Sequence, residues 1–415
     1  MTRILIIGGG FGGIRAALDL DKKLSDKQVE ITLVDKNNYH LFLPDLYEVG
    51  SAVGEWKDRY GVRLKKTVNI PFTDIFEDTK VNFVQAEITG IDLEKKEAVS
   101  GGGQVFTFDY LVLGLGAETE TFGISGVSEY AYKFKNIDEA LFLNRRINEA
   151  FDQLKKRQRT APINIIVVGA GFNGIELAAE LSCCAKSLKE ACQANTGCYS
   201  IKIIEAMPQI LPMVSEKERK IIRRRLADLK IEILENAKIA EVGPDFVKLA
   251  TGESHQADFI VWTAGIRASS FLKSIFGLRL DERGKMTVNN FLQAEGWSNV
   301  FGLGDNTVCL DPETKKPIPA LAYVAVDQGK IVAENISRSI KNRPLKPYQP
   351  FYSVWIAPVG GKFAVAHLTN RLTVSGFWGW ILRELVDLRY FLSILLLSKA
   401  ILLMNQKIEV FTKND

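Results

Sequence analysis

Two short apolar runs, separated by a glycine turn and a helix-period stretch, organise the first 35 residues. "RILIIG" reads as a strand over 3–8 and the helix is expected from about Gly13 to Leu24. "VEITLVD" then ends a second strand at Asp35. Unbroken apolar strands alternating with an amphipathic helix predict a β-α-β unit. Further on, "KKEAVS", the turn "GGGQ" and "VFTFDYLVLGLG" predict a hairpin-like region whose last strand ends at Gly116. A helix of mixed polarity is expected over 136–158, with a basic cluster suited to a helix C-terminus. At Ile163 the β-α-β pattern restarts, and its second strand, "YSIKIIEA", ends at Glu205. The stretches 101–116 and 243–265 share one plan: a polar turn, short strands, then an apolar strand ending in glycine. The chain therefore reads as a loose duplication at domain scale. After "NVFGLGDNT" at 299–307, a helix is expected from about Leu321 to Lys341, and then a different C-terminal region.

Each β-α-β unit carries G-x-G-x-x-G at its turn. In the first, Gly8 permits the tight turn, Gly10 lets backbone approach a pyrophosphate, and Gly13 lets helix and strand pack closely. The helix N-terminus behind them offers unpaired N–H groups to phosphate. Asp35 closes the next strand, where a carboxylate accepts from ribose hydroxyls. The second copy uses Gly169, Gly171 and Gly174, with Asn173 inside the turn, Glu176 just inside the helix and Glu205 at the strand end. A carboxylate at 205 accepts from a free 2′-hydroxyl and repels a 2′-phosphate, and no Arg follows in "EAMPQILP", so NADH is expected over NADPH. Two dinucleotide sites in one chain imply a cofactor pair and hydride exchange between them.

Composition narrows the field. With 415 residues, two or three domains are expected. A net charge of +4 is too small and diffuse for a nucleic-acid partner. Five cysteines, at 183, 184, 192, 198 and 309, show no C-x-x-C spacing, and reduced thiols are expected. Only His40, His255 and His367 are present, so a metal site is not expected. Met1 leads directly into the first strand, which leaves no room for a signal peptide and points to the cytosol or the cytosolic face of a membrane.

Both fingerprints, "FDYLVLGLGAE" at 108–118 and "NVFGLGDNT" at 299–307 together resemble the two-dinucleotide-binding-domain flavoproteins, the glutathione-reductase-like superfamily. The fold this implies is α/β, with two Rossmann-like dinucleotide-binding domains and a C-terminal amphipathic helical segment. "NNYHLFLPDLYEVGSAVGE" at 37–55 is similar to the type II NADH dehydrogenases within it, the single-subunit NADH:quinone oxidoreductases. The implied division is an FAD-binding domain in two parts, 1–117 and 283–345, an NADH-binding domain at 118–282, and a membrane-association or dimerisation region at 346–415. FAD would be held by Gly8, Gly10, Gly12, Gly13, Asp35, Lys36, Gly116, Asp305 and Ala325. NADH would be held by Gly169, Gly171, Gly174, Glu176, Glu205 and Gly265. Asp305 corresponds to an aspartate that contacts the flavin ribityl chain or pyrophosphate; a structural cap is the other reading. Glu176 and Gln328 are the candidate catalytic residues.

One departure bears on the electron acceptor. Where the family pattern reads A-Q-x-A-x-Q-Q-G, this chain has "AYVAVDQG" at 322–329, so Tyr323 and Asp327 replace two glutamines and Gln328 is kept. These three are the candidate quinone residues. An ionised Asp327 only accepts hydrogen bonds, and Tyr323 either stacks on a ring or packs in the core. A sulfide:quinone oxidoreductase and a membrane-docked flavoprotein with another acceptor remain the alternatives.

The segment 377–405, "FWGWILRELVDLRYFLSILLLSKAILLMN", has its longest charge-free run from Tyr390 to Ser398, far short of the roughly 20 residues of a spanning helix. Arg383, Glu384 and Asp387 cluster on one side, opposite a broad apolar surface that includes Trp378, Leu385 and Leu392. The expectation is a helix lying in the bilayer interface, peripheral on the cytoplasmic face and near a membrane quinone, with a buried helix or homodimer interface as the alternative.

Overall fold

The computed structural model describes residues 1–25, 28–54, 60–156, 158–159, 161–188, 198–369 and 372–411. Two five-stranded parallel sheets dominate. The first runs from β1 (Thr2–Ile7) through the crossover helix α1 (Phe11–Lys23) to β2 (Val29–Asp35), and adds β3 (Val81–Gln85) and β4 (Tyr110–Leu113). The second is built from β5 (Tyr132–Lys133), β6 (Ile163–Val168), β7 (Tyr199–Ile204), β8 (Ile231–Leu234) and β9 (Phe259–Trp262). Helix α2 (Ile137–Lys155) precedes β6, and α3 (Phe172–Leu188) links β6 to β7. The first sheet is completed by β10 (Val300–Gly302), giving the order β10-β4-β1-β2-β3; the second has the order β5-β9-β6-β7-β8. In both, the strand that enters the glycine turn is central, flanked by the strand ending in the acid and by the strand ending near Gly116 or Gly265. The expected duplication is thus a repeated topology. Each fifth strand comes from outside the repeated unit.

The stretch 105–116 is two elements rather than the single strand expected. Val105–Thr107 pairs antiparallel with Glu97–Ser100, whereas Tyr110–Leu113 enters the main sheet. Between them Phe108 is buried, and Asp109 Oδ2 accepts from the Arg3 amide at 2.7 Å, tying the start of β4 to β1. The chain passes between the two sheets at Ala117–Thr119 and Ile266–Ala268, which pair antiparallel immediately after Gly116 and Gly265. Both glycines hold positive φ, 68° and 81°, as a sharp exit from a strand requires. Leu272 and Ile275 already pack in the first domain's core, ahead of residue 283.

Helix α4 (Ala322–Ile340) lies against α1. A Cβ on Gly12 would stand 2.8 Å from the Ala325 carbonyl oxygen, and one on Gly329 would stand 2.4 Å from the Gly12 carbonyl oxygen, so small residues set this approach. Beyond α4 a three-stranded antiparallel sheet (Trp355–Pro358, Ala364–Thr369, Leu372–Gly376) precedes the terminal helices.

The terminal segment corrects the expectation of one helix. It forms α5 (Phe377–Ile394) and α6 (Leu397–Phe411), and the pair buries charged side chains beside Phe391 and Ile394. Arg383, Asp387 and Lys407 are buried, while Trp378 is 69% exposed, Leu385 55%, Leu397 65% and Leu402 57%. Arg383 and Asp387, on the charged side read from the sequence, face protein, and a large part of the apolar surface faces outward. Among the described residues no helix is long and apolar enough to cross a membrane. Cys198 is disulfide-bonded, unlike the reduced thiols expected; Cys183, Cys184 and Cys309 remain thiols, and Cys192 lies outside the described residues.

Candidate functional site

At the first turn the glycines sort by what surrounds them. A Cβ on Gly8 would meet the Gly114 carbonyl oxygen at 2.2 Å, and one on Gly13 would meet the Gly8 carbonyl oxygen at 1.9 Å; Gly10 has nothing within 4 Å. Two positions therefore exist to let the chain close on itself, and the third faces open space that a phosphate can occupy. Gly8 also holds φ at 105°. Asp35 pins the turn: Oδ2 accepts from the Gly9 amide at 2.7 Å and Oδ1 from the Asn37 amide at 2.8 Å. Burial pushes its carboxyl upward, and these backbone donors pull against that shift. Lys36 is exposed beside it.

The second turn repeats the construction. A Cβ on Gly169 would lie 2.8 Å from Ala264 Cα, and one on Gly174 would lie 2.0 Å from the Gly169 carbonyl oxygen, while Gly171 is open. Glu205 Oε2 accepts from the Ala170 amide at 2.7 Å, and Oε1 accepts from the Met207 amide at 2.8 Å. Both sites pass the same test of fit: an open glycine at a helix N-terminus, next to a carboxylate at the neighbouring strand end. Asn173 is exposed, whereas its counterpart Gly12 is buried under Leu303 and Ala325.

Asp305 lies on the loop that follows β10, with Lys135 Nζ 3.7 Å from its Oδ2. The loop is held from behind. The Gly304 amide donates to Gln328 Oε1 at 2.7 Å, Asn306 Nδ2 donates to the Leu113 carbonyl, and the Gly116 amide donates to Asn306 Oδ1. Gln328 thus points inward to the Asp305 loop, whereas Asp327 points outward and pairs with Lys330 at 2.7 Å. Tyr323 donates to the Val354 carbonyl at 2.9 Å, and burial raises its phenol to about 12. The three candidate acceptor residues do not converge on one point.

Sequence reasoning missed the charged cluster against which Glu176 sits. Arg383 reaches Asp45, Glu48 at 3.3 Å, Glu384 at 2.9 Å and Asp387 at 3.4 Å. Lys407 reaches Asp45 at 3.0 Å, Glu384 at 3.2 Å and also Asp387. Glu176, on α3, is raised to about 8 by burial and by the negative charges of Asp45 and Asp387, against the pull of Arg383. Asp387 is raised to about 6 by burial, with Lys407 and Arg383 opposing. Glu48 is pushed well above the usual carboxylate range, again by burial first. Burial, ahead of the neighbouring charges, thus holds the Glu176 and Glu48 carboxyls above the usual carboxylate range. The signal for it was the i, i+4 pair Arg383 and Asp387 inside a mainly apolar helix.

Residues 2–329 match the family described as pyridine nucleotide-disulphide oxidoreductases. The chain belongs to that family. Type II NADH:quinone oxidoreductases of Staphylococcus aureus, strains MSSA476 and NCTC 8325 / PS 47, are 29% identical over 393 residues, covering 93% of this chain and 94% of theirs. Among solved structures, NDH2 of Plasmodium falciparum in complex with NADH is similar at a TM-score of 0.81 and 18% identity, over 98% of both chains. The sulfide:quinone oxidoreductase of Aquifex aeolicus is similar at a TM-score of 0.76 and 20% identity, over 98% of this chain and 92% of that one. At such identities the likeness is one of fold. The disulphide of the family's name has no counterpart at the first turn, because no cysteine precedes Cys183.

Proposed function

We propose that the protein is an FAD-dependent oxidoreductase that takes a hydride from NADH and passes two electrons to a membrane quinone without proton pumping. The observation that carries this is the pair of matched turns, Gly9–Asp35 and Ala170–Glu205, each beside an open glycine at a helix start. Bound FAD supplies the two-electron chemistry between nicotinamide and quinone. Gly8, Gly10, Gly12 and Gly13 shape its phosphate cradle, with Asp35 and Lys36 at the ribose side and Gly116, Asp305 and Ala325 toward the flavin. Gln328 braces the Asp305 loop through the Gly304 amide. Gly169, Gly171, Gly174 and Gly265 frame the NADH site, and Glu205 admits a 2′-hydroxyl while its charge opposes a 2′-phosphate. Quinone reduction takes up one proton beyond the hydride, and Glu176, protonated up to about pH 8, can hold it at its carboxyl.

The outward apolar face of α5 and α6 supports peripheral attachment through 377–405 on the cytoplasmic side of a membrane, with the acceptor site near Tyr323 and Asp327. The likeness to a sulfide:quinone oxidoreductase fold favours a second reading, but Cys309 opposes it: its thiol is buried and pushed up to about 11. A steady-state assay of the holoenzyme with NADH and a short-chain quinone tests the proposal. Turnover with NADH and none with sulfide is expected. NADH bleaching of the flavin without reoxidation by quinone would overturn the acceptor assignment, and recovery on Asp327→Gln would trace the loss to that residue.

A further inference from the structure

The stretch "NNYHLFLP" places a histidine in the interior with both ring nitrogens engaged. His40 Nδ1 lies 3.1 Å from the Gly9 carbonyl oxygen, and Nε2 lies 2.9 Å from the Tyr390 hydroxyl. The Gly9 carbonyl can only accept, so Nδ1 carries the proton. Burial lowers the imidazole to about 4, so the ring is neutral near pH 7 and Nε2 is left as an acceptor. The only arrangement that satisfies all atoms is a one-way chain, in which the phenol donates to Nε2 and Nδ1–H donates to Gly9. The Gly9 peptide unit is also held on its amide side by Asp35. Phe11, within the glycine turn itself, packs edge-on to His40 at 4.8 Å and lies 5.0 Å from Tyr390. Tyr390 belongs to α5, whose other side presents Leu385 and Leu392 outward.

We infer that Tyr390 and His40 are positioning residues for the flavin site: the phenol fixes the imidazole tautomer, which fixes the Gly9 carbonyl and so the turn that receives the FAD pyrophosphate. The terminal helix pair is thereby a structural part of cofactor retention, 350 residues away along the chain from the histidine it orders. This rests on the reading that the first turn holds FAD. Without the phenol, the neutral ring is free to place its proton on Nε2, and a lone pair at Nδ1 then faces the Gly9 oxygen.

Asparagine and glutamine separate this chain from simple packing. The Asn amide nitrogen stands two bonds beyond Cβ, as Nδ1 does, and the Gln amide nitrogen stands three, as Nε2 does. His40→Asn therefore keeps the donor to Gly9 and needs no phenol, whereas His40→Gln keeps only the Tyr390 side. The experiment follows FAD release from the full-length holoenzyme by flavin fluorescence after dilution, with circular dichroism to confirm folding. Tyr390→Phe and His40→Gln should each release FAD about tenfold faster, and His40→Asn should stay within about twofold of wild type. Adding Tyr390→Phe to His40→Asn should change nothing further. Equal losses for His40→Asn and His40→Gln, or an unchanged rate for Tyr390→Phe, would overturn the inference. A wild-type protein that purifies without FAD would instead overturn the flavin assignment beneath it.

Discussion

At the first turn the Gly9 amide meets Asp35 and the Gly9 carbonyl meets a side chain, His40; at the second the Ala170 amide meets Glu205 and the Ala170 carbonyl meets a backbone amide, that of Leu211, at 3.2 Å. Both peptide units are held on both sides, but the second by its own neighbourhood and the first by residues that depend on the C-terminal helix. The turns also differ in cover. Gly12 lies under Leu303 and α4, while Asn173 is exposed. A site closed over by distant parts of the chain suits a resident cofactor, and one completed locally and left open suits a ligand that exchanges each cycle. The G-x-G-x-x-G pattern shared by the two motifs conceals this division of labour.

The comparison can be broken first at the helix pair that covers the first turn. Lys407→Met would leave Asp45 and Asp387 facing Arg383 alone, and should cost about 3–5 kcal/mol of stability with loss of bound FAD, read by thermal unfolding and flavin content. Next come reciprocal exchanges within the turns. Gly12→Asn has no room, its Cβ falling 2.5 Å from Leu303 Cδ1, and should cost about 1–3 kcal/mol and expel FAD. Asn173→Gly, on the open turn, should cost no more than about 1 kcal/mol and spare both cofactors. Glu205→Ala should raise the KM for NADH about tenfold and narrow the preference over NADPH, with FAD content unchanged, as steady-state kinetics with both nucleotides would reveal.

A further effect concerns pH. Glu176 ordinarily titrates near 4.5 and is held at about 8 in the folded chain, so between those values the folded state binds the extra proton. Stability should then fall as pH rises through that window, and Glu176→Gln should flatten the slope of melting temperature against pH.

Much of this was legible in the sequence because it is local. A glycine turn, its strand and its strand-end acid lie within about 30 residues, and the spacing of Gly8, Gly13 and Asp35 alone fixes their meeting. The helix beginning near Leu321 and the exits at Gly116 and Gly265 were equally readable. What escaped was set by partners far along the chain. Arg383 and Asp387 read as one side of a helix in the bilayer interface, with burial as the alternative, because their partner Asp45 lies 338 residues from Arg383, and an apolar helix with buried charges looks the same as one with exposed charges. His40 was passed over for the same reason, since Tyr390 gives it a purpose that periodicity cannot display. The break at Phe108 and Asp109 was hidden by continuous β-formers on either side.

The central claim, a resident flavin at one turn reduced by a nicotinamide at the other, is tested most directly by the anaerobic half-reaction. Wild-type holoenzyme and Gly174→Val, whose side chain collides with the Gly169 carbonyl, are mixed with NADH and flavin absorbance is followed before and after a short-chain quinone is added. The expected result is equal FAD content in both, rapid bleaching and quinone-driven recovery in the wild type, and no bleaching in the variant. Bleaching of Gly174→Val at the wild-type rate would contradict the account.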